Sequence, residues 1–164
     1  MQRFLTSACR CPILRGIVDS SSRYSSAIGR QSEPVTYTVE AGHIQRFAEA
    51  VGDANPIYAD EAAARAAGHS RIPAPPTFVA ALRPRDPREG LDIDWKKLLH
   101  GEQELTFHRP VYAGDRLTLV QRIADASVKS GKSGDMDLLT LETLASDDHG
   151  APVYTARSLI VIRR

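Results

Sequence analysis

No charged residue occurs in the segment Ile72–Leu82, IPAPPTFVAAL. Its second half, from Thr77 to Leu82, is predicted to form a helix that is apolar on every side. Such a helix is buried in the middle of a fold, because no face of it suits water. Pro76 is compatible with the start of this helix, since the first N–H groups of a helix have no intrahelical partner. We therefore expect the fold to be built around this helix.

The residues after this segment favour β-structure. Residues 83–97 are charged and rich in proline, which predicts a surface loop. Four strand candidates follow, and glycine-containing turns at 114–115, 131–134 and 147–150 separate them. The strands are predicted at 99–108, 116–124, 136–145 and 153–163. This order predicts an α+β fold, in which an antiparallel sheet wraps around a single central helix.

Upstream of the apolar segment, a short strand and two helices are expected. Residues 35–39 alternate and are rich in β-branched types, as in a strand. Four apolar residues then follow the spacing of an amphipathic helix that Gly52 ends: Ile44, Phe47, Ala48 and Val51. Asp60 is expected to cap a second, alanine-rich helix from Glu61 to Ala67.

The composition is that of one ordinary globular domain. The chain has 164 residues, and its 21 Lys and Arg nearly balance 20 Asp and Glu, which argues against a nucleic-acid partner. No apolar run approaches the roughly 20 residues that span a bilayer, so no membrane partner is expected.

Residues 1–33 differ from the rest and are predicted to be a leader, with the folded domain at 34–164. The leader is rich in Arg and Ser and contains both cysteines, Cys9 and Cys11. That composition is typical of a mitochondrial transit peptide, with cleavage after Tyr24, and would place the protein in the mitochondrial matrix. The alternative is a disordered tail or an upstream start in a bacterial gene, for a cytoplasmic protein.

The segment Gly52–Tyr58, GDANPIY, is the first candidate for chemistry. Asp53 can act as a base or orient a water molecule. The alternative is structural, because Asp close to a turn commonly binds local backbone N–H groups. Asn55 and Pro56 would set that turn.

From about Val35 onward the chain resembles the hotdog fold, and within it the MaoC-like family of R-specific enoyl thioester hydratases and 3-hydroxyacyl thioester dehydratases. In that family a Gly-Asp-x-Asn-Pro-x-His segment supplies the catalytic dyad, and here Tyr58 stands where the histidine would be. The later segment Leu99–Gln103, LHGEQ, resembles the sequence of one branch of this family, which includes the first hotdog half of the peroxisomal type 2 multifunctional enzyme. The same resemblance is carried by Phe107, Arg109-Pro110 and Gly114-Asp115. In such double-hotdog proteins this half lines the acyl channel, and the other half carries the catalytic residues.

The resemblance implies a set of site residues. Asp53 would be the catalytic carboxylate, assisted by Tyr58 or His100, and backbone N–H groups at Thr77 and Phe78 would stabilise the thioester oxyanion. Glu102, two residues after His100, is expected on the same strand face. The substrate-binding set is Asn55, Pro76, Thr77, Phe78, Gly101 and Glu102. His100 has the alternative role of a core or interface histidine, and His43, His69, His108 and His149 are expected to be solvated or peripheral.

Two functions follow from this resemblance. The first is a hydratase/dehydratase of 2-enoyl or 3-hydroxyacyl thioesters of CoA or acyl carrier protein (ACP), with no cofactor and no metal. The alternative is a non-catalytic acyl-chain-binding subunit that pairs with a hotdog carrying the complete dyad. Because a single hotdog exposes sheet edges, we expect a homodimer or a heterodimer in either case.

Overall fold

One antiparallel sheet dominates the computed structural model, which describes residues 22–131 and 134–164 and the backbone of Val18–Asp19. Its strands are β1 (Val18–Asp19), β2 (Val35–Thr38), β3 (Leu98–Phe107), β4 (Arg116–Gly131), β5 (Gly134–Ser146) and β6 (Pro152–Arg163). They pair in the order β1-β4-β5-β6-β3, and β2 also pairs with β4. The five strands predicted from alternation and turn residues are confirmed.

Two helices precede the long strands. Helix α1 (Ala41–Ala50) buries Ile44 and Ala48, and helix α2 (Glu61–Ala66) buries Ala64. The cap predicted for α2 is present, since the Asp60 carboxylate accepts a hydrogen bond from the amide of Ala62 at 2.7 Å. Both predicted helices are therefore confirmed, but Val51, expected on the apolar face of α1, follows the end of that helix and is exposed.

The central apolar helix takes a different form from the one predicted. Pro76–Ala81 is a six-residue 3-10 helix, and of its residues Phe78 and Val79 are buried while Thr77 and Ala80 are exposed. Proline explains the short length, because Pro84 disfavours helical backbone at the residue before it and three prolines precede Thr77. The sheet instead packs on α1 and this short helix together, with Phe47 edge-on to Phe78 at a ring distance of 5.6 Å.

Buried side chains on the helix-facing side of the sheet, the inner face, form two separate clusters. The first core cluster lies under α1 and the 3-10 helix and contains Val39, Ile44, Ile72, Phe78, Val79, Leu82, Val111, Leu117, Leu119, Ala145, Val153 and Tyr154. The second core cluster lies toward the other end of the long strands and contains Tyr24, Ala27, Ile93, Ile123, Ala126, Leu139, Leu141, Ile160 and Ile162.

The second core cluster is covered by residues that were expected to belong to the leader. Tyr24 is buried and its hydroxyl donates to the carbonyl of Asp92 at 2.8 Å. Ser22 donates to the fully buried carboxylate of Asp137 at 2.8 Å, and Arg164 donates to the same carboxylate.

Packing therefore begins before the expected boundary at residue 34, because the sheet end needs apolar cover. The cleavage site predicted after Tyr24 falls inside this packed segment. The remaining leader features, including Cys9 and Cys11, lie outside the described residues. Of the helices within the described ranges, none has the length and apolarity to cross a bilayer.

Candidate functional site

The Gly52–Tyr58 segment is a tight turn held by its own side chains. The Asp53 carboxylate accepts from the amide of Asn55 at 3.1 Å, and the Asn55 side chain accepts from the amide of Ile57 at 3.2 Å. Gly52 has a φ of +75°, which lets the chain leave α1 sharply. Asn55 caps the short 3-10 helix Pro56–Tyr58, so both polar side chains shape the turn.

This turn brings Tyr58 against Asp53. Partial burial and the nearby negative charge of Asp53 together raise the pKa of Tyr58 above its usual value near 10. A phenol with a raised pKa stays protonated at neutral pH and cannot serve as a base. Asp53 itself is exposed to solvent.

Tyr58 lines a cavity of about 460 Å³ between the Pro73–Pro76 segment and the end of β3. The wall is mainly apolar, with Ile57, Phe107 and Val111 among its residues, but it includes three further polar side chains. These are His69, His108 and Arg109. Asp53 is not among the lining residues.

His69 and His108 are therefore functional candidates that the sequence analysis placed in solvent or at the periphery. A signal was present for His108, because it stands between the end of strand β3 and the Arg109-Pro110 motif. His43 is also not peripheral, since its ring packs edge-on against Phe78 at 4.9 Å.

An ion-pair cluster supports the wall of this cavity. The buried carboxylate of Asp115 accepts from Arg71 at 2.8 Å, from Arg109 and from the amide of Tyr112 at 3.0 Å. Burial alone would raise the pKa of Asp115, but these hydrogen bonds outweigh it and lower the pKa below the ordinary value. Arg109 is thereby fixed at the cavity wall.

His100 lies at a different place. It lines a second cavity of about 370 Å³ with Gln103, Gln121 and Tyr154, and no residue lines both this cavity and the Tyr58 cavity. Within the described ranges, no hydrogen bond connects His100 to Asp53 or Tyr58. The structure therefore does not bring together the three predicted catalytic residues.

A β-bulge at Gly101 corrects the expected placement of Glu102. His100 pairs with the buried residue Ile160, whereas Glu102 pairs with Leu159 of the opposite face. The extra residue moves Glu102 to the outer face, away from His100. Glycine suits the bulge, because a Cβ at residue 101 would lie 3.2 Å from the Leu159 carbonyl oxygen.

The expected oxyanion donors are only partly available. The amide of Phe78 donates to the carbonyl of Pro75 at 2.9 Å, and proline at position 76 has no N–H. The short 3-10 helix also lacks the aligned turns that give a longer helix its N-terminal field.

The site as described can bind an apolar chain and offers neutral or cationic hydrogen-bond donors beside it. Tyr58, with its raised pKa, does not supply the base that proton transfer needs. Among the described residues, no three His, Cys, Asp or Glu side chains are grouped so as to hold a metal ion.

Comparisons with known proteins agree with the predicted family. A protein named UPF0336 from Saccharopolyspora erythraea is 39% identical over 146 residues, covering 84% of this chain and 90% of the relative. The HadBC 3R-hydroxyacyl-ACP dehydratase complex of Mycobacterium tuberculosis contains a chain with a TM-score of 0.68 and 27% identity, covering 82% of this chain and 96% of that one. A chain of the ChsH1-ChsH2 complex of the same organism has a TM-score of 0.71 and 27% identity, covering 81% of this chain and 84% of that one.

A MaoC-like dehydratase of Rhodospirillum rubrum has a TM-score of 0.63 and 25% identity, covering 87% of this chain and 97% of that one. The hotdog fold and the MaoC-like resemblance are thus confirmed. The similar proteins named here come from bacteria, which favours the bacterial alternative and gives no support to a mitochondrial one. The chain matches the description "FAS1-like, dehydratase domain region" over residues 26–156, and it belongs to that family.

Proposed function

We propose that this protein is the acyl-chain-binding subunit of a two-subunit hydratase/dehydratase that acts on 2-enoyl and 3-hydroxyacyl thioesters. The catalytic dyad would come from a second hotdog subunit. The observation that carries the proposal is that Tyr58, which lines the mainly apolar cavity near Asp53, is a protonated phenol where proton transfer needs an imidazole.

The edge of the sheet supports a partner subunit. Among the described strands, β6 is the only one that pairs with β3, and most of the ten residues of β3 are exposed, Leu99 and Phe107 among them. A long unpaired edge strand tends to pair with another chain. Two of the similar solved structures are complexes, which agrees with this arrangement.

The cavities support the acyl-binding role. The Tyr58 cavity is mainly apolar, as an acyl chain requires, and the shortened 3-10 helix leaves a second cavity on the inner face. The thioester would be either acyl-CoA or acyl-ACP.

The proposal is tested by producing this chain with a hotdog subunit that has a complete Gly-Asp-x-Asn-Pro-x-His segment. Hydration is followed as loss of enoyl thioester absorbance, for each chain alone and for the co-purified pair. We expect turnover by the pair and none by this chain. A matched control replaces the partner's dyad histidine by alanine and should abolish activity. Turnover by this chain alone, in any oligomeric form, would contradict the proposal.

A second candidate is an independent hydratase/dehydratase. The observation in its favour is that His69 and His108 line the same cavity as Tyr58, so an imidazole could handle a proton there. Turnover by the chain alone that is lost in both His69→Ala and His108→Ala would select this candidate.

A further inference from the structure

A band of polar side chains crosses the inner face of the sheet between the two core clusters. Its members, the polar band, are Gln121 on β4, Thr143 on β5, Ser158 on β6 and Gln103 on β3. An inner sheet face is ordinarily continuous in apolar residues. Here it changes from apolar to polar and back to apolar along the same strands.

The strand register arranges the band as two directly opposed pairs, which lie diagonally to each other because Thr143 is opposite Ala156 and Ser158 is opposite Leu141. Gln121 is directly opposite Thr143, and Ser158 is directly opposite Gln103. The side-chain amide of Gln121 donates to the Thr143 hydroxyl at 2.9 Å, and the Ser158 hydroxyl donates to the Gln103 carbonyl at 2.8 Å. These bonds order the band but leave the Gln121 carbonyl oxygen and the Thr143 hydroxyl hydrogen available.

The polar band lines the second cavity, of about 370 Å³, and the 3-10 helix segment closes the opposite side with Val79, Ala80 and Leu82. Tyr154 also lines this cavity and is only 1% exposed. Its hydroxyl has no hydrogen-bond partner among the described residues. Because Tyr154 lines the cavity, this hydroxyl is a donor that could pair with an oxygen acceptor of a ligand.

The charge of the lining defines the chemistry. Of the described residues that line the cavity, none is Asp, Glu, Lys or Arg, and His100 is the single histidine. A phosphate or carboxylate would lack a counter-charge there, and a plain hydrocarbon would leave the polar band unpaired. An uncharged oxygen function, a hydroxyl or a ketone, matches the donors and acceptors present.

On this basis we propose that the polar band binds an uncharged oxygen function carried within the acyl chain, so that the preferred substrates are thioesters with an oxygenated chain. This inference rests on the acyl-binding function proposed above. Gln103 and Phe107 are four residues apart on β3, roughly 13 Å at about 3.3 Å per residue. Since Phe107 lines the Tyr58 cavity, the oxygen would lie well along the chain from that cavity.

The test compares the binding of matched probes to the full-length chain by calorimetry. The probes are dodecanoyl-CoA and its oxo derivatives, with the ketone placed from the middle to the far end of the chain. We expect at least one oxo derivative to bind about tenfold or more tightly than dodecanoyl-CoA, because unpaired polar groups in a binding site discriminate strongly.

Gln121→Leu and Thr143→Val should remove this difference and leave dodecanoyl-CoA binding equal or tighter. Thr140→Val is the matched control, because Thr140 is on the same strand but the opposite face and should keep the difference. Thermal midpoints of the variants should be unchanged or higher, since the substitutions join the two core clusters. Ser158→Ala provides a smaller change if either variant fails to fold.

The outcomes separate the two proposals. Failure of every probe to bind would contradict the acyl-binding function, and this inference with it. Equal binding of dodecanoyl-CoA and all oxo derivatives would overturn this inference and leave acyl binding intact. If free CoA competes and abolishes the affinity difference between the probes, the polar band binds the amides of the pantetheine arm of CoA. That result would also overturn this inference.

Discussion

Tyr58 lies close to Asp53, and partial burial together with the negative charge of Asp53 raises the pKa of the phenol. The position of the family dyad is thus occupied by a phenol that stays protonated near pH 7 and cannot act as a base. Asp53 also accepts from the amide of Asn55, so its carboxylate supports the turn. The pair of Tyr58 and Asp53 therefore favours a binding role for this chain over a catalytic role.

Replacing Asp53 by Asn should lower the pKa of Tyr58 toward its ordinary value. Asn keeps the turn hydrogen bond through its side-chain oxygen but removes the negative charge that disfavours the phenolate. Ultraviolet titration of the variant should show one tyrosine ionising at lower pH than in the wild type. Tyr58→Phe, which removes the phenol, shows which part of the titration curve belongs to Tyr58. Identical titration curves for the wild type and Asp53→Asn would contradict the effect of Asp53 on Tyr58.

Alkaline stability should follow the same contact. The raised pKa of Tyr58 contributes stability that is fully present below the unfolded-state value near 10, and that is lost as pH rises through the folded-state value. Asp53→Asn should therefore reduce the pH dependence of the free energy of unfolding above pH 10. An unchanged dependence would show that Tyr58 is not coupled to Asp53.

Tyr58→His should give the isolated chain measurable hydratase activity. The substitution restores an imidazole beside Asp53, and a positioned acid/base group contributes about 10² to 10⁴ in rate. Adding Asp53→Asn to this variant should remove the gain, and Tyr58→Phe should produce none. Absence of any gain in a folded Tyr58→His protein would mean that the cavity does not hold the thioester beside residue 58.

Asp115→Asn should destabilise the protein by about 2 kcal/mol near neutral pH. The substitution removes the negative charge of a buried carboxylate that forms ion pairs with two partly exposed arginines. The lowered pKa of Asp115 gives stability that is present above the ordinary value of 3.8 and is lost as pH falls through the folded-state value. In the Asp115→Asn variant, the free energy of unfolding should therefore depend less on pH in the acid range than in the wild type. Asp148→Asn, which affects an exposed pair with Arg116, is the control and should change the urea midpoint little.

A chain beginning at residue 34 should be less stable than one beginning at residue 22. Its sheet would lose the cover that Tyr24 and Ala27 give to the second core cluster, and Asp137 would lose Ser22 and Arg23. Removing a buried aromatic residue typically costs about 3 kcal/mol or more. Urea denaturation of both chains measures the difference, and equal midpoints would show that residues 22–33 are dispensable.

The sheet could be predicted from the sequence because its signals are local. Alternation in β2 and the glycine turns give strand positions within about two residues, except that β4 continues to Gly131 instead of ending at residue 124, and the Asp60 cap sets the start of α2. The Gly52–Tyr58 motif likewise located the Asp53–Tyr58 pair, since its spacing is contained in one turn.

The departures from prediction depend on non-local or competing effects. The apolar composition of Thr77–Leu82 favoured a full helix, but the flanking prolines limit it to a 3-10 helix. The bulge at Gly101 reverses the face of Glu102, and period-two alternation cannot foresee an inserted residue. The shared cavity of Tyr58 and His108 forms only when β3 packs beside the Pro73–Pro76 segment.

The central claim is that this chain binds the acyl group while its partner performs the proton transfer. The most direct measurement is kcat/KM of the active two-subunit complex carrying Asp53→Asn in this chain. We predict a value within about twofold of the wild type, because this carboxylate supports a turn and takes no part in proton transfer. A loss of about 10²-fold or more, in a complex of unchanged stability, would make Asp53 a catalytic group and contradict the account.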